Sequence, residues 1–214
     1  MKKVIALMLP LLLIINISCQ AEDYSRYLKS KTYLDDTSID YVFEVPDEWR
    51  LTYAGDYQTA FAAFFEPDIA DGTSFYYMSM DLYDELVSKR NIDVYKRSDL
   101  NTSTYKACFS LSEIAASIGV EEDNIRFETI NGKEYIFANP QLPVEDPSSS
   151  EMHIAEMAIL IENGYYLVFA MDTPPNVSES QFEWYRMQFE RAYSTVHFER
   201  KSNYEKLINM MLGD

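Results

Sequence analysis

From Met152 to Glu162 and from Tyr165 to Asp172, apolar residues fill both alternating sets of positions. Ala155, Met157, Ile159 and Ile161 lie on one side of the first run, and Ile154, Ala158 and Leu160 on the other. Strands that are apolar on both sides belong in the middle of a sheet covered on both faces. Asn163-Gly164 joins the two runs, and Asn131-Gly132 joins 124–130 to 133–139. Asn-Gly between apolar runs is the strongest short hairpin signal, because both central residues of the tight turn need positive φ. Earlier in the chain, Asp40 to Pro46 alternates and stops at proline, as a strand should, and Asp47-Glu48-Trp49 reads as the turn after it. Thr59–Phe65 and Ser74–Leu82 are two more apolar, aromatic runs. The loop-like Glu66–Gly72 between them makes the pair antiparallel.

Helical spacing appears in four places. Ser110-Leu111-Ser112-Glu113 is a capping box and Gly119 stands at a C-cap position, which predicts a helix over Leu111–Ile118. Ser178-Glu179-Ser180-Gln181 is a second capping box. Phe182, Tyr185, Phe189, Ala192 and Tyr193 then recur at helical spacing, predicting a helix over Glu179–Tyr193. A further helix is expected within Asp84–Arg97. Tyr204, Leu207, Ile208, Met211 and Leu212 outline a terminal amphipathic helix over 201–214. Val196-His197-Phe198 is a short strand candidate.

The first nineteen residues, MKKVIALMLPLLLIINISC, follow a different pattern. Lys2 and Lys3 make a positive start, Val4 to Ile15 is apolar apart from Pro10, and a small residue, Ser18, precedes Cys19. This is the layout of a secretory signal peptide, and it resembles a bacterial lipoprotein signal. The resemblance implies cleavage before Cys19, a lipid thioether on its sulfur and an acylated amine. Asn16 departs from the usual apolar residue three positions before the cysteine. The competing readings are an ordinary cleaved leader with a chance cysteine and a retained transmembrane helix. The apolar run is shorter than the roughly 20 residues a span needs. The expected organisation is therefore a signal peptide over 1–18, a lipidated tether over 19–37 with one helical turn around Tyr24–Leu28, a folded domain over 38–200 and the helix over 201–214. The protein is expected to be exported and lipid-anchored on the extracytoplasmic face of a bacterial membrane.

Charge narrows the partners. The chain of 214 residues has a net charge of −17, and losing Lys2 and Lys3 with the leader makes it about −19. Such a surface repels phosphate backbones, which argues against nucleic acid as a partner, and holds the folded body away from anionic lipid. There are only two cysteines. With Cys19 lipidated, Cys108 has no partner in the chain, and its setting between Ala107 and Phe109 predicts a buried, inert thiol. No phosphate-binding glycine loop and no Gly-x-Ser-x-Gly elbow is present, and two histidines, His153 and His197, are too few for a zinc site of the usual kind. Asp68, Asp71 and Gly72 lack the alternating ligands of a calcium loop and read as a turn. No metal and no cofactor is expected.

The stretch Tyr41-Val42-Phe43-Glu44-Val45-Pro46-Asp47-Glu48-Trp49 opens the domain with an aromatic strand, a proline and a tryptophan corner. Two late hairpins and a closing helix with an aromatic strand, Phe182 to Phe198, follow. In this order the chain resembles the PsbP/Mog1-like superfamily over residues 38–200. The resemblance implies an α+β fold, an α/β/α sandwich around a mostly antiparallel sheet, in proteins that mostly act by binding other proteins. The 17 tyrosines and 12 phenylalanines supply a candidate binding surface in Tyr53, Tyr57, Tyr76 and Tyr77, since tyrosine suits interfaces and sugar contacts. The expected function is a non-enzymatic envelope lipoprotein that binds another envelope protein. A small-ligand or glycan binder is the alternative.

Mass spectrometry of the mature N-terminus tests the leader directly. Cys19 should be the first residue and should carry acyl chains. A mature chain that begins elsewhere, or an unmodified Cys19 thiol, would overturn the reading.

Overall fold

Nearly every position of the strand Tyr165–Thr173 is buried, and the architecture follows from that. In the computed structural model, which describes residues 28–30, 33–36, 38–57, 60–68, 72–90, 96–139, 153–174 and 177–199, this strand (β10) is the central member of a seven-stranded sheet. The sheet runs β4-β5-β6-β10-β9-β8-β7. Its strands are β4 (Trp49–Tyr57), β5 (Ala60–Pro67), β6 (Ser74–Asp81), β7 (Ile125–Ile130), β8 (Lys133–Ala138), β9 (His153–Glu162) and β10, and every neighbouring pair is antiparallel. A second, four-stranded sheet has the order β1-β2-β3-β11, from β1 (Leu28–Ser30), β2 (Tyr33–Asp36), β3 (Tyr41–Glu44) and β11 (His197–Phe198). The helices are α1 (Tyr83–Arg90), α2 (Thr102–Cys108), α3 (Leu111–Ile118) and α4 (Glu179–Ser194).

Strand alternation divides the large sheet into two apolar faces. One carries Phe65, Phe75, Tyr77, Phe137, Leu167 and Phe169, covered by Phe43 and Leu34 of the small sheet and by Tyr185, Phe189 and Tyr193 of α4. The other carries Met78, Met80, Ile136, Ile159, Tyr166 and Val168, covered by Leu100, Tyr105, Ile114 and Ile118 of the α2–α3 region. The fold is α+β, as expected. In the sandwich, the layer over the first face combines α4 with the small sheet, because β3 pairs with β2 and β11 and does not enter the main sheet. At its centre, Phe43 sits 4.7 Å from Tyr77 and 5.1 Å from Phe169, ring centre to ring centre.

Local signals and observed elements agree closely in the second half of the chain. Both Asn-Gly turns have positive φ at Asn and Gly, as a two-residue hairpin turn requires. Both capping boxes form, and Gly119 closes α3 in the left-handed conformation at φ 87°. The first half differs more. Leu28–Asp36, read as tether, contributes β1 and β2, and Leu28 begins a strand, not the end of a helical turn. Trp49, read as part of a turn, begins β4. Helix α2 was not expected; Asn101 caps it by accepting from the Thr104 amide at 3.0 Å. Cys19 and the terminal helix over 201–214 lie outside the described residues.

Phe43, Trp49, Phe137, Ile159, Leu167, Phe169 and Phe189, expected in the core, are all buried. Phe169→Ala should cost about 3–5 kcal/mol, lowering Tm by roughly 6–20 °C for a domain of this size. An unchanged melting curve would contradict the central position of β10.

Candidate functional site

Tyr76 and Tyr77 are neighbours on β6, so their side chains point to opposite faces of the large sheet. Neither belongs to a shared groove with the other: Tyr77 is fully buried in the first core and Tyr76 is 8% exposed in the second. Each hydroxyl finds a buried carboxyl. Tyr77 Oη donates to Asp36 Oδ2 at 3.1 Å, beside Ser79 Oγ at 2.5 Å. Tyr76 Oη donates to Asp172 Oδ2 at 3.2 Å and accepts from Ser74 Oγ at 2.7 Å. A tyrosine in an apolar layer needs such a partner, since an unpaired buried hydroxyl costs free energy.

The two acids are held differently. Asp36 Oδ1 also accepts from the Ser38 amide at 3.1 Å and the Ser38 hydroxyl at 2.5 Å, so both oxygens are bonded. Burial raises its pKa, and the hydrogen bonds from Ser38, Ser79 and Tyr77 pull the other way. Asp172 is fully buried, and among the described residues its Oδ1 has no partner of hydrogen-bonding geometry. Burial pushes its pKa up to about 7, against the smaller opposing effects of the Tyr76 hydroxyl and the Thr173 amide. Burial likewise raises both tyrosine hydroxyls.

Of the tyrosines singled out from sequence, Tyr53 and Tyr76 come together and Tyr77 does not. Tyr53, Phe64 and Tyr76 form a row across β4, β5 and β6, with ring centres 5.4 Å and 5.3 Å apart. Tyr57 ends β4, and its side chain lies outside the described residues. Beside this row, exposed Arg50 pairs with Glu66 at 3.3 Å. Two further constellations were not foreseen. Arg97 lies over the rings of Tyr83 and Tyr165, 4.8 Å and 5.0 Å from their centres, and bonds Asp81 at 2.8 Å. Glu156, 4% exposed, takes Arg126 at 2.5 Å and Arg186 at 3.5 Å. Both join residues far apart in the chain, and no local spacing announces either.

Cys108 is exposed, contrary to the buried thiol expected from its neighbours: it is the last residue of α2, and Tyr105 supplies that helix's buried contact. His197, on β11, is exposed, with Nδ1 2.9 Å from the Thr195 carbonyl. Helix α2 covers one face of the large sheet and β11 belongs to the layer on the other, so Cys108 and His197 do not meet. His153 begins β9, its side chain outside the described residues. Among the described residues no group of three His, Cys, Asp or Glu is placed to hold a metal ion.

Tyr77→Phe should destabilise the fold by about 1–3 kcal/mol, because a buried carboxyl loses one donor. Urea denaturation should show this as a lower midpoint with an unchanged slope. A neutral result would mean that the Asp36 cluster does not tie the small sheet to the large one.

No family model matches this chain, and no curated protein matches it. Among solved structures, a Bacteroides thetaiotaomicron protein aligns with a TM-score of 0.47 at 9% identity, over 85% of this chain and 57% of its own. The chain thus spans little more than half of that protein's length. The solution structure of cyanobacterial PsbP (CyanoP) from Synechocystis aligns with a TM-score of 0.46 at 14% identity, over 86% of this chain and 99% of its own. No residue role or partner passes across from either protein.

Proposed function

We propose that this chain is a non-enzymatic binding protein of the bacterial cell envelope, held to the membrane by lipid on Cys19, and that it engages another envelope protein. The leader ending in Ser18-Cys19 supports the location. Among the described residues no helix is long and apolar enough to cross a membrane, and two lipid chains anchor a protein stably without one.

The observation that carries the binding role is the outer side of α4. Met187 is 58% exposed, the most exposed large apolar side chain described. Half-buried Trp184 stands three residues before it, and so beside it on the helix. Glu183 and Arg191 stand one turn before and after Met187 on the same side of the helix. Tryptophan and methionine with a charged rim are the composition of an interface centre. Binding suits the chemistry as well. Buried Asp36 and Asp172 bond to tyrosines inside the layers, and Arg50, Arg97, Arg126, Arg186 and Arg191 each face a carboxylate. With a net charge of −17, the chain disfavours a polyanion such as nucleic acid.

A second reading, a small-ligand or glycan binder, draws on the row Tyr53–Phe64–Tyr76, whose first two rings are half-buried. Capture from native membranes, with the lipid anchor intact, separates the two. The wild-type protein should retain one defined envelope protein, and Met187→Glu and Met187→Arg, both at an exposed position, should each lose it while keeping the melting temperature. Capture that survives those changes, or turnover in a screen against glycans, peptides and esters, would overturn the proposal. Saturable glycan binding that is lost in Tyr53→Ala would favour the second reading.

A further inference from the structure

The end of the large sheet where β6 begins and β10 finishes holds a buried polar chain in an otherwise apolar layer. Ser74 stands opposite Asp172 in the ladder, and Ser74 Oγ, Tyr76 Oη and Asp172 Oδ2 are linked at 2.7 Å and 3.2 Å. All three residues are at most 8% exposed. This is also where β9 and β10 fall out of register, between Met171 and Asp172, so the ladder is locally disrupted on that side. We propose that Ser74, Tyr76 and Asp172 form a proton-dependent latch, which holds the ends of β6 and β10 together and releases them when Asp172 loses its proton.

The physical argument is an asymmetry between two buried acids. Asp36 has donors on both oxygens, from Ser38, Tyr77 and Ser79, so a negative charge there is partly solvated by the protein. Asp172 has the Tyr76 hydroxyl on Oδ2, the adjacent Thr173 amide as a weaker support, and, among the described residues, no hydrogen-bond partner on Oδ1. A buried carboxylate with so little support is costly, and the group stays neutral or moves to water. The other titratable neighbours do not offset the charge. Tyr76 on β6 is neutral. Glu66, one strand further on β5, is itself acidic and engaged by Arg50 on β4. Glu156 on β9 stands opposite Met171, on the other face, and is held by Arg126 and Arg186. His153 stands opposite Thr173, and its side chain is outside the described residues.

The sign follows from linkage. The folded-state pKa of Asp172 lies above the ordinary carboxylate value, at about 7 against 3.8. The native end therefore keeps a proton that the open end gives up, and closure weakens as pH rises through that window. Opening should increase roughly tenfold per pH unit between the two values and level off above the higher one.

Hydrogen exchange of the full chain at pH 5 and pH 8, corrected for the intrinsic rate, reads this directly. In the wild-type protein, protection in 72–78 and 168–174 should fall by roughly a hundredfold or more, while 100–118 changes little. Asp172→Asn, which cannot ionise, should show the same protection at both values. Equal wild-type protection at the two pH values, a loss spread evenly over 100–118, or a loss that persists in Asp172→Asn would each overturn the latch. Should that variant fail to fold, carboxyl-carbon NMR of the wild-type protein decides: an Asp172 midpoint near 7 supports the latch, and one below 5 excludes it.

Discussion

A strand with water on neither face sets the terms for the rest of this molecule. β10 and its neighbours must be covered twice, and the chain does this with aromatic rings on one side and mainly aliphatic and methionine side chains on the other. Large rings bring polar tips into the interior, since many of them are tyrosines. Tyr41, Tyr76, Tyr77 and Tyr135 each bond their hydroxyl to a group far away in the chain: the Glu162 carbonyl, Asp172, Asp36 and the Tyr193 carbonyl. Those bonds are specific where ring packing is tolerant. Those of Tyr41, Tyr77 and Tyr135 tie a covering layer to the large sheet, that of Tyr76 ties two neighbouring strands within it, and the aromatic contacts then fill the space.

Charge plays a related part at the margins. Glu156 sits almost buried on β9 between Arg126 on β7 and Arg186 on α4. The pairing links an edge strand, a central strand and the covering helix. A buried ion pair of this kind adds little net stability compared with an apolar substitute, but removing one partner is expensive because the other charge stays behind. Its contribution is therefore to position α4. Arg191 does the same at the other end of that helix through Glu44 of β3. Among the described arginines, Arg186 and Arg191 thus join α4 to the strands beside it.

Legibility from sequence tracked how local each signal was. The β9–β10 hairpin and helices α3 and α4 were readable because turn residues, caps and periodicity lie within a few positions of one another. β4 was missed because Gly55 and Asp56 interrupt its apolar pattern, and pairing with β5 along most of its length overrides that weak local preference. α2 was missed because Thr102 and Thr104 are poor helix formers; the Asn101 cap and the Thr102 bonds to Ile161 of β9 stabilise it. Tyr76 and Tyr77 do not share one face for a simpler reason: they are adjacent, and alternation sends them to opposite sides of the sheet. The Asp36 and Asp172 clusters were beyond any local reading, since each acid meets its tyrosine across a long stretch of chain.

The two Asn-Gly turns are the same dipeptide in the same conformation, yet they serve different ends. Gly132 faces open space, whereas a Cβ on Gly164 would fall 2.8 Å from Tyr83 Cβ. The Gly164 amide donates to the Leu100 carbonyl, its carbonyl accepts from the Leu82 amide, and Asn163 reaches the Tyr41 hydroxyl. A hairpin tip is ordinarily the natural place for an insertion or an affinity tag; here it is an interior joint, and the Asn131-Gly132 tip is the one that leaves room. The same joint bears on how the chain assembles. Hairpin closure is local and takes microseconds, whereas the bonds from this tip to Tyr41, Leu82 and Leu100 each close a far longer stretch of chain.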